Sequence, residues 1–353
     1  MILDVSKLTL AFGGKTVLQD FGFRLEEGET ACLLGHSGCG KTTALRAVAG
    51  FEQPDSGRIT LKGKTLSDGP VFVPPHLRRI GMVFQDYALF PHLTVAQNIA
   101  FGLSRSSSAE RNKRVGGLLE LIGLPEYGKH YPHQLSGGQQ QRIALARALA
   151  PKPELILLDE PFSNLDADLR ARLSKEVRNL LKQEQTSAIL VTHDQQEAFA
   201  MADKIGIMHE GRLKQWDTPY NLYHRPADAF TARFIGTGVM LRGKVSGDRC
   251  VELAIGEFCG TVPLNCRSCG EVDVLIRPDD IIHDDDSPFT AEVLDKDFKG
   301  GYFIYTLKLN SGETVAAHVA GHHDHPVGSR IGIRMEVEDL IAFPAAERYS
   351  ELT

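Results

Sequence analysis

Residues 29–43 read ETACLLGHSGCGKTT, and this stretch decides the architecture. A short apolar strand, ETACLL, runs into a glycine-rich turn and then into the helical stretch TTALRAVAG. Gly35, Gly40, Lys41 and Thr42 satisfy the spacing GxxxxGK[ST], with His36, Ser37, Gly38 and Cys39 forming the loop between them. Glycines let backbone N–H groups approach a polyphosphate closely, the following helix points its positive end at the same place, and Lys41 adds a point charge. Thr42 offers a hydroxyl to Mg2+, and Thr43 lies beside it. Cys39 reads as a tolerated small residue rather than a redox switch, since nothing near it in the sequence forms a resolving pair.

On either side of this loop, short apolar strands alternate with helical stretches up to about residue 235: ELILLD at 154–159, SAILVT at 187–192 and KIGIMH at 204–209. That alternation predicts an α/β domain with a largely parallel sheet. The first two strands, ILDVSKLTL and VLQDFGFRL, are too close for a parallel crossover and read as an antiparallel hairpin beside the main sheet. Helical segments at 94–101, 110–122 and 138–149 follow one another without a strand, which predicts a helical subdomain inserted at about 86–150. After Gly236 short β-like runs such as VDVLIRP and YFIYTLKL take over, the pattern of a small all-β, OB-like barrel. The expected division is therefore 1–236 and 237–353.

The chain has 353 residues and a formal net charge of −6, which argues against a basic nucleic-acid-binding surface. No apolar run reaches the length of a spanning helix and the start lacks a basic leader, so a cytosolic protein is expected. Cys32, Cys39, Cys250, Cys259, Cys266 and Cys269 are scattered, only the last two at CxxC spacing, and all read as free thiols.

Further motifs follow the loop in a fixed order. Gln85 ends the apolar strand RIGMVF; LSGGQQQ occupies 135–141; LILLDEP contains Asp159 and Glu160; SNLD spans 163–166; His193 follows SAILVT. Ser136, Gly137 and Gly138 read as a second phosphate cradle at the start of a helix. With this ordered set the sequence resembles the ABC transporter ATP-binding subunits.

The resemblance implies roles at the matching positions. ATP held at Lys41 of one copy would be covered by Ser136, Gly137, Gly138 and Gln139 of a second, head to tail, with Asp166 at the dimer interface. Glu160 would polarise or deprotonate the attacking water, and His193 would contact the γ-phosphate. Thr42, Gln85 and Asp159 would serve Mg2+, Gln85 also sensing a membrane subunit. Phe12 stands where the family usually stacks a tyrosine on adenine, and an aromatic face suffices for ATP.

Within the family, DYALFPHLTVAQNIAFGL at 86–103 and GRLKQWDTPYNLYHRPADAF at 211–230 resemble importer ATPases with a C-terminal TOBE-like β domain, a likeness that LIRPDDI at 275–281 extends into the tail. FEQPDSGRITLKGKTL and HYPHQLSGGQQQR are most similar to the ferric-iron group, with polyamine, sulfate, phosphonate and sugar importers sharing much of the same text. The resemblance implies a homodimer on the cytoplasmic face of the inner membrane, beneath two permease subunits served by an extracytoplasmic solute-binding protein. The rival reading is a soluble, non-transport ATPase. His283 with Asp284–Asp286, and His318, His322, His323 and His325, match no defined metal-site spacing and read as solvated loop residues, iron ligation being the sharper alternative.

Overall fold

The strand Thr30–Leu34 lies in the middle of a six-stranded sheet, between Lys204–His209 and Ser187–Thr192. Leu155–Asp159 and Ile80–Val83 continue the parallel order on one side, and Arg212–Asp217 closes the other as an antiparallel edge. The central strands are buried along their whole length, as parallel strands covered on both faces must be. The computed structural model describes residues 1–103, 107–163, 165–260, 270–336 and 340–345.

Leu3–Phe12 and Lys15–Leu25 form the expected antiparallel hairpin. It belongs to a separate five-stranded antiparallel sheet completed by Ser56–Leu61, Lys64–Asp68 and Val71–Phe72. The loop helix Lys41–Ala49 shares a single apolar cluster with this sheet and with Leu155, Leu157, Ile189 and Val191 of the parallel one. Helices Val95–Ala100, Ser108–Leu121 and Gly137–Leu149 occupy the predicted helical insertion. No helix among the described residues is long and apolar enough to cross a membrane.

The loop helix is anchored at its C-terminal end by a buried arginine. Arg78, 1% exposed, donates from Nη1 to Ala47 O and Val48 O, both at 2.8 Å, and from Nε to Val73 O at 2.6 Å. It thereby gives the Val48 carbonyl a donor, adds a charged one to Ala47 O, which already accepts from Gly50 N at 3.2 Å, and complements the negative end of the helix dipole. Gly50 ends the helix at φ 88°, and a Cβ there would stand 2.4 Å from Arg78 Nε. Arg78→Met should lower the unfolding free energy by about 3 kcal/mol, because three carbonyls lose a charged donor at once. Urea denaturation of the full chain checks this.

The chain divides into two compact units, Met1–Pro219 and Tyr220–Thr353, ahead of the division expected at 236. The reason lies in the short helices Pro219–His224 and Ala229–Phe234. Ala229 and Ala232 pack on Leu275 and Phe343, and Arg277 lies 3.4 Å over the Tyr223 ring, all within the second unit.

Among the described residues, the second unit contains two five-stranded antiparallel sheets around one apolar core. In one of them Ile281–His283 pairs with Arg330–Met335 and also lies against Thr314–Ala320 at the other edge, so the sheet curls nearly into a barrel. This is the expected OB-like β architecture. Cys250 and Cys259 correct one expectation: they face each other across antiparallel strands and form a disulfide. Their pairing comes from strand register, to which a nine-residue spacing gives no clue. Cys32 and Cys39 are free and buried, while Cys266 and Cys269 lie outside the described residues.

Burial pushes Asp280 up to about 6, with the Asp279 charge adding to the effect against the hydrogen bond from Arg277 N. Since this lies above the unfolded value of about 3.9, the folded state holds the proton more tightly. The stability contributed is complete below the unfolded value and is lost as pH rises through about 6. Asp280→Asn, neutral at every pH, should therefore raise the denaturation midpoint at pH 8, with a gain that shrinks at pH 5.

Candidate nucleotide-binding site

The glycine-rich loop bends where only glycine bends easily. Gly38 and Gly40 sit at φ 80° and 104°, and Gly40 leads directly into the helix Lys41–Ala49. The Lys41 ammonium, buried beneath the loop, donates to Gly35 O at 2.8 Å and His36 O at 2.9 Å. His36, Ser37 and Gly38 are exposed, so the loop's crest faces solvent. Burial raises the Cys39 thiol against the pull of Lys41, which keeps it protonated and unreactive.

Thr42 Oγ1 donates to Asp159 Oδ1 at 2.9 Å, joining the loop helix to the end of Leu155–Asp159. Burial raises the Asp159 carboxyl, opposed by the Thr42 hydrogen bond and by Arg46 and Lys41. Two oxygen donors at this spacing, in a sheltered place beside a phosphate-sized loop, are the ligands a hard divalent cation takes. Thr43 follows, half-buried.

The chain turns sharply after Asp159. Glu160 adopts φ 45°, and its N–H is held by Val191 O at 3.0 Å. The turn brings Glu160 Oε1 to 3.5 Å from His193 Nδ1, so residues from two neighbouring strand ends meet. Gln85 Nε2 reaches Ser163 Oγ at 3.4 Å, and Ser163 Oγ donates to Glu160 O at 3.0 Å. Lys41, Thr42, Asp159, Glu160, His193 and Gln85 thus stand at the C-terminal ends of adjacent parallel strands, the usual crevice of an open α/β sheet. Phe12 ends its strand 47% exposed.

The LSGGQ residues are built into a different element. Ser136 caps the helix Gly137–Leu149: its hydroxyl accepts from Gln139 N, while Gln139 Oε1 accepts from Ser136 N at 2.9 Å. Gly137 is exposed at the first turn, and Gly138 is buried with Leu173 Cδ1 3.2 Å from where its Cβ would stand. Asp166 likewise caps Ala167–Gln183, accepting from Leu169 N at 2.9 Å, and is exposed. Asn164, within SNLD, lies outside the described residues.

Sequence reasoning missed the network behind His193. Arg170 binds Asp194 Oδ2 at 2.8 Å and lies 3.4 Å from Glu197, whose Oε2 accepts from Thr192 Oγ1 at 2.6 Å. Burial would raise Asp194, but N–H groups of Gln196 and Glu197 and the Arg170 guanidinium hold it below the usual range. Only the i, i+3 pair Asp194–Glu197 at a helix start could have signalled this.

Residues 18–163 match the ABC transporter family, and residues 274–343 match the TOBE domain. The Fe(3+) ions import ATP-binding protein FbpC 2 of Pectobacterium atrosepticum is 43% identical over 340 residues, 94% of this chain and 97% of that one. The chain belongs to the ABC transporter family. It is an ATP-binding, ATP-hydrolysing subunit of the import type. FbpC 1 of Rhodococcus jostii is also 43% identical, over 97% and 99% of the two chains. The putrescine transport ATP-binding protein PotG of Escherichia coli is 40% identical over 93% of this chain and 89% of its own. Among solved structures, a dimeric post-hydrolysis ATP-binding cassette bound to ADP and Pi matches with TM-score 0.55 at 30% identity, covering 62% of this chain and 98% of that one.

Proposed function

We propose that this ABC ATPase drives import of ferric iron, working as a head-to-tail homodimer beneath two permease subunits on the cytoplasmic face of the inner membrane. The near full-length, 43% identity to Fe(3+) import ATP-binding proteins carries this reading. A solute-binding protein would deliver the cargo from outside.

In this reading Lys41 and the loop's N–H groups hold the ATP phosphates while Phe12 stacks on adenine. Thr42, Asp159 and Gln85 would hold Mg2+, which would neutralise phosphate charge. Glu160 accepts the proton of the attacking water, and His193 steadies both Glu160 and the γ-phosphate. Ser136, Gly137, Gly138 and Gln139 of one copy close over the nucleotide of the other, with Asp166 alongside. Phosphoryl transfer asks little more than positioning and charge neutralisation. Closure and reopening of the dimer would switch the permease.

The segment Tyr87–Pro91 suits a permease contact. Tyr87 and Ala88 both adopt positive φ, and Arg147 pins their carbonyls at 2.9 and 2.6 Å, so the segment is a fixed shape rather than a loose loop. Uptake of labelled ferric iron by cells whose only copy carries Glu160→Gln tests the whole reading, with labelled putrescine and sulfate alongside. Loss of iron uptake alone is expected. Loss of putrescine uptake instead would favour the cargo of PotG, and no change in any label would sink the transport role.

A further inference from the structure

The tail histidines do not all behave as solvated loop residues. His283 ends the strand Ile281–His283, and His323 and His325 lie just beyond Thr314–Ala320. Curling of the sheet brings these edges together, and one ligand nitrogen from each of His283, His323 and His325 falls within 4.8 Å of the others. The His283 ring lies 4.6 Å from each of the other two. Nε2 of His325 is shielded from solvent and makes no hydrogen bond, and Nε2 of His283, equally shielded, has the Asp285 carboxylate as its neighbour, Oδ1 at 3.1 Å. A solvated imidazole would give both nitrogens to water, whereas His325 keeps one nitrogen shielded and unpartnered.

The turn is also held in shape before any ion arrives. Tyr305, fully buried, donates its hydroxyl to His323 O at 2.7 Å and accepts from His325 N at 2.9 Å. His323 N donates to Ala320 O at 2.9 Å, and Lys296 donates to His325 O at 3.0 Å while pairing with Asp324. The Asp285 carboxylate beside His283 supplies negative charge.

We propose that the C-terminal unit binds one divalent transition-metal ion between His283, His323 and His325. Imidazole nitrogens suit Zn2+, Fe2+, Co2+ and Ni2+, whereas Mg2+ and Ca2+ take oxygen. Nitrogens about 2.0 Å from a tetrahedral ion stand about 3.3 Å apart, so the ring nitrogens close on it by side-chain rotation of about 1 Å. Because the donors are neutral imidazoles, the site is distinct in chemistry from the oxygen pair at Thr42 and Asp159. It stands whatever cargo the importer carries.

The test uses the untagged full chain, stripped with chelator, without nucleotide, and titrated with Co2+. One equivalent should bind with the visible bands of a tetrahedral nitrogen site. His323→Ala and His325→Ala should each weaken binding at least about tenfold, and His318→Ala and His322→Ala should not. All four should keep wild-type ATP turnover, since none belongs to the nucleotide site. In wild-type protein labelled at histidine nitrogen, Zn2+ should shift three of the thirteen imidazoles, which needs no variant at all. The proposal is overturned if Co2+ does not bind, if the histidine variants bind it as before, or if the spectrum shows thiolate charge transfer that vanishes in Cys266→Ser/Cys269→Ser.

Discussion

Exchanging Glu160 for glutamine is expected to lower ATP turnover by about 10²–10⁴-fold, the usual worth of a positioned general base, while leaving ATP affinity unchanged. Glutamine keeps the shape and the contact with His193, 3.5 Å away, and loses only the ability to take a proton. With binding intact and hydrolysis blocked, the ATP-bound dimer should accumulate, visible as a shift in size-exclusion chromatography. Phosphate release measured under saturating ATP decides the matter: turnover within tenfold of wild type would remove Glu160 from the reaction.

The second large effect concerns the other cradle. Gly137→Asp is expected to reduce turnover at least about 10²-fold, as loss of an oxyanion-binding group does, without unfolding the protein. Gly137 is exposed in the first turn of its helix, and among the described residues a Cβ there meets only Leu165 Cδ2 at an ordinary 3.5 Å. A carboxylate at a helix N-terminus favours the fold by about 0.3–1 kcal/mol, so the melting temperature should hold or rise slightly. The same charge repels a γ-phosphate offered by a second copy. Fluorescent ATP should still bind each variant subunit through Lys41, and no ATP-driven dimer should form. If single subunits lost ATP affinity as well, the two cradles would be serving one nucleotide within one chain.

The parallel sheet was legible because buried strands such as LILLD and SAILVT are continuously apolar and each is followed by turn and helix chemistry. The helical insertion was legible from the absence of any such run between Gln85 and Pro151. What was not legible is contact between elements distant in sequence. Nothing in the text shows that Ser56–Leu61 joins the N-terminal hairpin's sheet, or that Arg78 closes the loop helix through carbonyls 30 and 31 residues away. His283 and His325 approach only because a sheet curls, and Cys250 meets Cys259 only through register. At the nucleotide site the residue types and their order were readable. The Gln85 to Ser163 link and the Arg170 network behind His193 were not, since long side chains choose partners in space rather than in spacing.

Glu160 sits in a left-handed backbone conformation that disfavours any residue with a Cβ. A glycine at that position would relieve the turn, and it would also erase the carboxylate. A library of variants screened for heat resistance alone would therefore drift toward inactivity at this codon, enriching glycine there and yielding sturdier chains that no longer turn over ATP. Selection in a living cell must hold the strained residue in place generation after generation, against a steady pull from folding itself.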